Sequence, residues 1–436
     1  MSRTVASQER LRIPDRQQVL VSMQSADDLV DAEHPVRLVW QAICSLDLSR
    51  FHEPIKARVG EAGRDSTDPR LLIGLWLYAA IDGVGSAREL ARLCQESRPY
   101  MWLCGQVSLN HHTLSDFRVG QAGALDDLFT QVIVSLVDKK LISVHRISQD
   151  GTRVRACRGA SSMRRKERLN LLLTQAQAHV AELRKLLDDP KHSAGLAAKK
   201  KAAMQRAARE REQRIQQAIK QLPELEARQQ KLGRKVSARD KAQGKLKQPR
   251  ASTTDPEARV MKMPDGGYRP AMNVQIAVDT QSRAILGVEV INAGVDNQQL
   301  EPMRRQVEAR SGQKVHEQLA DGGYMSFEEV DKAAEQNLTL YLPPKPPRDP
   351  AKFGDQYQPR AYDSEAVKQW RQRMGSEEGK KVYKQRAATS ETVNADLKTQ
   401  RGLVQLTVRG MAKARCVALW CALAYNLMHF GAALIQ

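Results

Sequence analysis

Paired cysteines are missing from this sequence. It has six, Cys44, Cys94, Cys104, Cys157, Cys416 and Cys421, in 436 residues, and none stands in a Cys-x-x-Cys pair. That scatter argues against a disulfide framework and for a reducing compartment. Cys94 and Cys104, with His111 and His112, lack the spacing of a zinc knuckle, so buried thiols and surface histidines are expected there. An apolar leader is missing too: residues 1–9 are polar, and no signal peptide is expected. Long apolar runs are scarce. Hydrophobic residues make up 41% of the chain and mean hydropathy is −0.52, so part of it must be strongly polar. Only 416–435 approaches membrane-span length. Asn426 and His429 interrupt it, so a buried helix is expected, with no membrane contact. Acidic residues are outnumbered, 50 Asp+Glu to 69 Lys+Arg, which leaves a formal net charge of +19. A surplus of that size suits a polyanionic partner, because Lys and Arg release counterions condensed on nucleic acid.

The charge is unevenly spread. Residues 161–250 hold 24 Lys+Arg against 9 Asp+Glu, a net of +15. Leu169, Leu172, Val180, Leu183 and Leu187 fall on one helical face there. Asp188-Asp189-Pro190 through Gly195 reads as a turn, and Ile215, Ile219, Leu222 and Leu225 form a second stripe that Pro223 disturbs. The segment is expected to be an inserted basic helical hairpin with a poorly ordered tail. Its one-sided charge suits a solvated face or a DNA-backbone contact.

Residues 1–140 before it read as an all-α domain. Ser66-Thr67-Asp68 with Pro69 opens an apolar helix over 71–81, and Ser86 with Glu89 is a capping box. A further helix near Thr113 carries Ser115, Asp116 and Arg118. Helices over 86–95 and 113–120 fit either a helix-turn-helix-like DNA reader or a plain bundle, and the spacer between them is long for a compact motif.

Residues 141–160 contain a first strand, and strand signals resume over 251–400. The stretches 272–278 and 283–292 alternate as a hairpin. A helix over 297–310, a strand over 315–321, a helix opened by Ser326 and Glu329, and a short strand over 338–342 follow. Pro343-Pro344-Lys345-Pro346-Pro347 breaks regular structure, 348–381 gives no clear signal, and 383–400 reads as a helix. Residues 401–436 close as a helix packed on the core. Without the insert the order is βββαβαβα. The fold expected is α/β, with a mixed five-stranded sheet whose first three strands form a meander and whose later two lie parallel to the first.

That order sets Asp150, in Gln149-Asp150-Gly151-Thr152, beside Asp321, in Ala320-Asp321-Gly322-Gly323-Tyr324. The helix over 383–400 adds Glu391. Each acid alone reads as a turn former or part of a salt-bridged helix face. Together they form a hard-oxygen donor set of the kind Mg2+ prefers, with Mn2+ able to substitute. Two such ions lower the barrier to displacement at a phosphodiester. Arg386 and Lys398 lie on or near the face of Glu391, suited to holding phosphates, and Tyr383 is suited to hydrogen bonding or stacking. Asp255, Asp265, Asp279 and Asp296 are rival acids; Asp265-Gly266-Gly267 reads as a turn and Asp296 as the start of a helix.

At these residues the chain resembles the DDE transposases of bacterial insertion sequences, in the branch with a Tyr-x-x-Arg…Glu…Lys helix. Asp68-Pro69-Arg70-Leu71-Leu72 and His112-Thr113-Leu114-Ser115-Asp116-Phe117-Arg118 are similar to that branch's helical N-terminal domain. Asp150-Gly151-Thr152, Asp321-Gly322-Gly323-Tyr324, and Tyr383, Arg386, Glu391 and Lys398 match its three acidic motifs. Arg409-Gly410-Met411 and Ala424-Tyr425-Asn426-Leu427 are similar to its C-terminal end. The resemblance implies an RNase H-like catalytic domain with Asp150, Asp321 and Glu391 as catalytic metal ligands. It further implies DNA or phosphate contacts from Tyr383, Arg386, Lys398 and Arg118. The partners implied are duplex DNA, as terminal inverted repeats and target, and a second copy of the chain in a dimer. The location implied is the bacterial cytoplasm, at the nucleoid. A nuclease or resolvase without strand joining, and a DNA-binding remnant acting as a repressor, are the alternatives.

Two departures stand out. Four residues separate Arg386 from Glu391 where the commonest form of the signature has three, and on a regular helix this rotates Arg386 by one position. The large insert follows the first strand, whereas many relatives in the wider fold carry theirs before the final helix. In that later stretch Trp370 is the best candidate for base stacking, with packing the expected role.

Overall fold

The computed structural model describes residues 25–62, 64–189, 197–231, 248–347 and 354–435, with residues 17, 19 and 23. Helices at Pro35–Cys44, Pro69–Ile81, Ala87–Glu96, Arg98–Cys104, His111–Gly120 and Ala122–Asp138 form its first part. Their starts follow local chemistry. The Asp68 carboxylate accepts from the Arg70 N–H at 2.8 Å, and Pro69 occupies the first turn. The helix opened there is buried from Leu71 through Ala80. Arg98–Cys104 intervenes between Ala87–Glu96 and His111–Gly120, so these helices form a bundle rather than a compact two-helix reader.

The strands are β1 (Arg146–Arg155), β2 (Met163–Arg164), β3 (Ala251–Ser252), β4 (Arg259–Lys262), β5 (Tyr268–Asp279), β6 (Ile285–Ile291), β7 (Glu317–Leu319) and β8 (Thr339–Tyr341). The main sheet runs β4-β5-β1-β7-β8, with β6 also pairing β5. β5 is antiparallel to β1, while β7 is parallel to β1 and β8 to β7. The expected meander and its parallel neighbours are all present. The sheet nevertheless has six strands, not five. The sixth, β4, arises because Asp265-Gly266-Gly267 turns the chain tightly enough to make a hairpin. Met263 N–H donates to the Gly267 carbonyl at 2.7 Å, and Asp265 Oδ1 accepts from Gly267 N–H at 3.0 Å.

β2 and β3 pair antiparallel at the root of the insert, Met163 opposite Ser252. From that root rise the helices Lys166–Asp188 and Ala198–Lys220, antiparallel along a seam of Leu169, Ala176, Ile215 and Ala218. The helix breaks at Gln221 and restarts as Leu222–Lys231, with Pro223 in the first turn, where its missing N–H costs nothing. The expected turn at 190–195 and much of the expected tail, 232–247, lie outside the described residues.

The long apolar helix is Met411–Ile435. It has the length and hydropathy to cross a membrane, yet it is mostly buried, packed on Pro69–Ile81, Ala122–Asp138 and β6. Its polar interruption has a structural cause. The Asn426 side chain accepts from Ile285 N–H at 2.9 Å and donates to the Ile285 carbonyl at 2.8 Å, closing the start of β6. One apolar core joins this helix to the N-terminal bundle and the sheet.

A second core lies under β7 and β8, around Leu319, Tyr324, Leu342, Met374 and Trp370. Trp370 is 0% exposed, donates its indole N–H to the Leu342 carbonyl at 3.2 Å, and meets Phe327 edge-on. It is a packing residue with no face left for a base. Trp370→Ala is expected to cost about 3–5 kcal/mol of stability, read as a fall in the urea midpoint.

Candidate active site

Asp150 lies in the middle of β1, opposite Ile276 of β5. On the other side, Ser148 pairs in parallel with Leu319, the last residue of β7. Counting two residues on from that pair reaches Asp150 on one strand and Asp321 beyond the other. Two-residue periodicity keeps each acid on its partner's face, with the strands about 5 Å apart. Asp321 begins a turn, its Oδ1 accepting from Gly323 N–H at 2.7 Å. Burial pushes the Asp150 carboxyl up from the usual range. The Arg386 charge opposes that shift, and the Asp321 charge adds to it.

The third acid arrives on a composite helix: Glu377–Arg386, a single π turn over Ala387–Glu391, then Thr392–Thr399. Ser390 and Asn394, four apart and so on one face, fasten it to β1. The Ser390 and Ser148 hydroxyls are 2.5 Å apart, and Asn394 Nδ2 donates to Asp150 Oδ2 at 2.9 Å. The π turn decides how Arg386 sits. On a regular helix five steps leave Arg386 and Glu391 about 140° apart. A π turn takes up one extra residue without rotating the helix beyond it. Arg386 therefore faces Glu391, with its guanidinium 2.8 Å from Glu391 Oε1 and 3.6 Å from Asp150 Oδ1. The rotation expected from the four-residue spacing does not occur.

Tyr383 lies one turn earlier, close enough to feel the Arg386 charge; burial raises its hydroxyl pKa and that charge opposes the shift. Lys398 is half-buried, its ammonium pushed down by desolvation and partly restored by the Asp150 charge. Both are at the site. Arg118 is not, which corrects its placement among the phosphate contacts. It is 6% exposed, stacked 4.5 Å over the Trp76 ring, and donates to the Gly85 carbonyl. The Trp76 ring and the 84–86 loop hold it inward, and burial lowers its pKa to about 10.

A polar floor supports the acids from the opposite sheet face, and the sequence reading missed it. Gln149 donates to Gln275 at 3.0 Å, Gln318 to Gln149 at 2.8 Å, and the Tyr324 hydroxyl to Gln275 at 2.5 Å. Asn273 and Gln275 each donate to Asp296 Oδ1 at 2.7 Å. Asp296 does precede a helix, Leu300–Ser311, but its carboxylate turns into this floor. A Cβ at Gly151 would lie 2.4 Å from Asp296 Oδ1 and 2.5 Å from Gln275, so only glycine fits there. The available signal was Asn273 and Gln275 alternating with Met272, Val274 and Ile276 on a central strand, since buried amides demand partners.

Among the described residues, no three His, Cys, Asp or Glu side chains stand close enough to hold a metal ion. The Arg386 guanidinium stands between the Asp150 and Glu391 carboxylates and supplies the positive charge they require. The donor chemistry, carboxylates with a neighbouring amide and a resident cation between them, fits a hard divalent ion.

Residues 24–120 match a family model described as a transposase domain (DUF772), and residues 248–427 match one described as a transposase DDE domain. Asp321 and Glu391 fall inside the second match; Asp150 lies between the two, and its place rests on its pairing with β7. No curated protein and no solved structure matches the chain. Transposase matches on both sides of the basic insert carry a single assignment: the chain belongs to the DDE transposases of insertion sequences.

Proposed function

We propose that this transposase cuts DNA at the ends of its element and joins the freed 3′-OH to target DNA, using an RNase H-like catalytic domain. The observation that carries the reading is the register placing Asp150 beside Asp321, with Arg386 drawing Glu391 to the same place. Asp150, Asp321 and Glu391 are the groups that would hold Mg2+, or Mn2+ in its stead. When bound, a pair of such ions favours the attacking oxygen and stabilises the leaving one. The protein's own part is positional. Asn394 and the Ser148–Ser390 contact hold the helix that carries Glu391 at a fixed distance from β1. Arg386, held by Asp150 and Glu391, and Lys398 present positive charge to a phosphate beside the acids. Water releases the 3′-OH, which then attacks the target phosphodiester, and no protein nucleophile is needed. Two ends must be joined, so the working species is a dimer on duplex DNA, with the N-terminal helices on the terminal inverted repeats.

The test is an assay of the full chain on a plasmid carrying the element's ends. With Mg2+, nicked ends and joined products are expected, and neither in EDTA. Cutting without joining would turn the reading to a nuclease, and binding without cutting to a repressor-like remnant.

A further inference from the structure

Six arginines from three stretches of chain line one cavity of about 410 Å3 at the root of the insert. Arg158 follows β1, Arg164 is on β2, Arg168 opens the first insert helix, Arg211 and Arg214 come from the second, and Arg409 precedes Met411–Ile435. Thr253 and Thr254 add hydroxyls to the wall. Counter-charge is short. Among the described residues, no carboxylate forms a salt bridge with Arg158, Arg164, Arg168, Arg211 or Arg409, and Arg214 has only Glu210, at 3.5 Å. Arg214 Nε is buried with no hydrogen-bond partner. Burial and the Arg409 charge both work against its protonation, with Glu210 opposing them. Two nearby acids are partly engaged: Asp255 accepts from Gly410 N–H at 3.2 Å while the Arg409 charge acts on it, and Glu257 accepts from Met411 N–H at 2.8 Å. Like charges gathered around a guanidinium with one long carboxylate contact and an unpartnered Nε form a site whose missing member is an anion. The planar fork of Arg matches phosphate oxygens.

We propose that this cavity grips the phosphate backbone of the duplex DNA being processed, within about one helical turn of the reacting phosphate. The proposal rests on the reading of the chain as a DNA-cutting transposase. Distance supports it: β1 runs from Asp150 toward the cavity, and the five residues to Arg155 span about 16 Å, roughly half the ~34 Å of a DNA turn. The grip is sequence-independent, because the cavity offers fixed positive charge and hydroxyls rather than a surface shaped to enter a groove.

Fluorescence anisotropy of the full chain in EDTA tests it, since binding is then read apart from cutting. The probes are an unrelated duplex of about four turns and one carrying the element's end. Arg214→Ala with Arg409→Ala is expected to weaken both by about tenfold at physiological salt and to make the salt dependence shallower by between one and two counterions. Lys200→Ala with Lys201→Ala removes the same charge from the same insert outside the cavity, and is expected to cost less than about threefold. Arg214→Lys with Arg409→Lys, which keeps the charge but loses the fork, is expected to fall between, and an unchanged melting temperature verifies folding. Equal losses from the two alanine pairs would reduce the cavity to diffuse charge and overturn the proposal. So would displacement of inorganic pyrophosphate, but not of duplex, by the arginine substitutions, which would mark a small-anion site. A loss confined to the element-end probe would overturn the sequence-independent grip. Failure of the wild-type chain to cut DNA leaves this binding result standing and removes only the catalytic reading.

Discussion

Alanine in place of Asp150, Asp321 or Glu391 is expected to lower cleavage by at least about three orders of magnitude, ~4 kcal/mol of transition-state stabilisation. Binding of the element's ends in EDTA should be unaffected within about threefold, because none of the three supplies positive charge to the DNA. Single-turnover cleavage of an end-bearing duplex in Mg2+ reads the first quantity, and a gel shift reads the second. The three substitutions should not perturb the free protein equally. Asp150→Ala strips a partner from both Asn394 and Arg386, whereas Glu391 is largely exposed and its loss leaves Arg386 close to Asp150. Cleavage surviving all three substitutions would sink the assignment of these acids.

The second large effect concerns the π turn. Deleting Ala388 should turn Ala387–Glu391 into regular helix and keep Arg386 and Glu391 on one face, so cleavage is expected to hold within about tenfold. Inserting one further alanine beside Ala388 has no such outlet. It swings the two ends of the helix about 100° apart. Either Arg386 leaves Glu391, or Ser390 and Asn394 leave β1, and cleavage is expected to drop by at least about a hundredfold. Single-turnover rates for the two variants, with circular dichroism for helix content, distinguish these outcomes. A harmful deletion with a harmless insertion would reverse the role given to the turn.

Much of the site was legible because it is local. Asp150 stands on a strand, Asp321 two residues beyond the end of one, and Glu391 in a helix, and connection rules order the strands without knowledge of side chains. What escaped was non-local. The spacing between Arg386 and Glu391 reports one extra residue but not whether the helix winds past it or widens around it; the fastening of Ser390 and Asn394 to β1 decides that. Arg118 reads as a free cation, and only the packing of Trp76 and the 84–86 loop turns it inward. Asp296 looks like a helix-start residue, and its role comes from the amides of Asn273 and Gln275 on a strand more than twenty residues away. The arginine cavity shows in sequence only as net charge, because its members come from stretches hundreds of residues apart.

The bond between Asn394 and Asp150 spans 244 residues of chain. At synthesis rates of roughly 5–20 residues per second, a ribosome needs on the order of 10–50 s to travel from one to the other. Throughout that interval β1 waits without the helix that carries Glu391, while the insert helices, whose contacts are mostly local, are free to form first. The newborn chain thus completes its basic arm before Asp150 and Glu391 can meet.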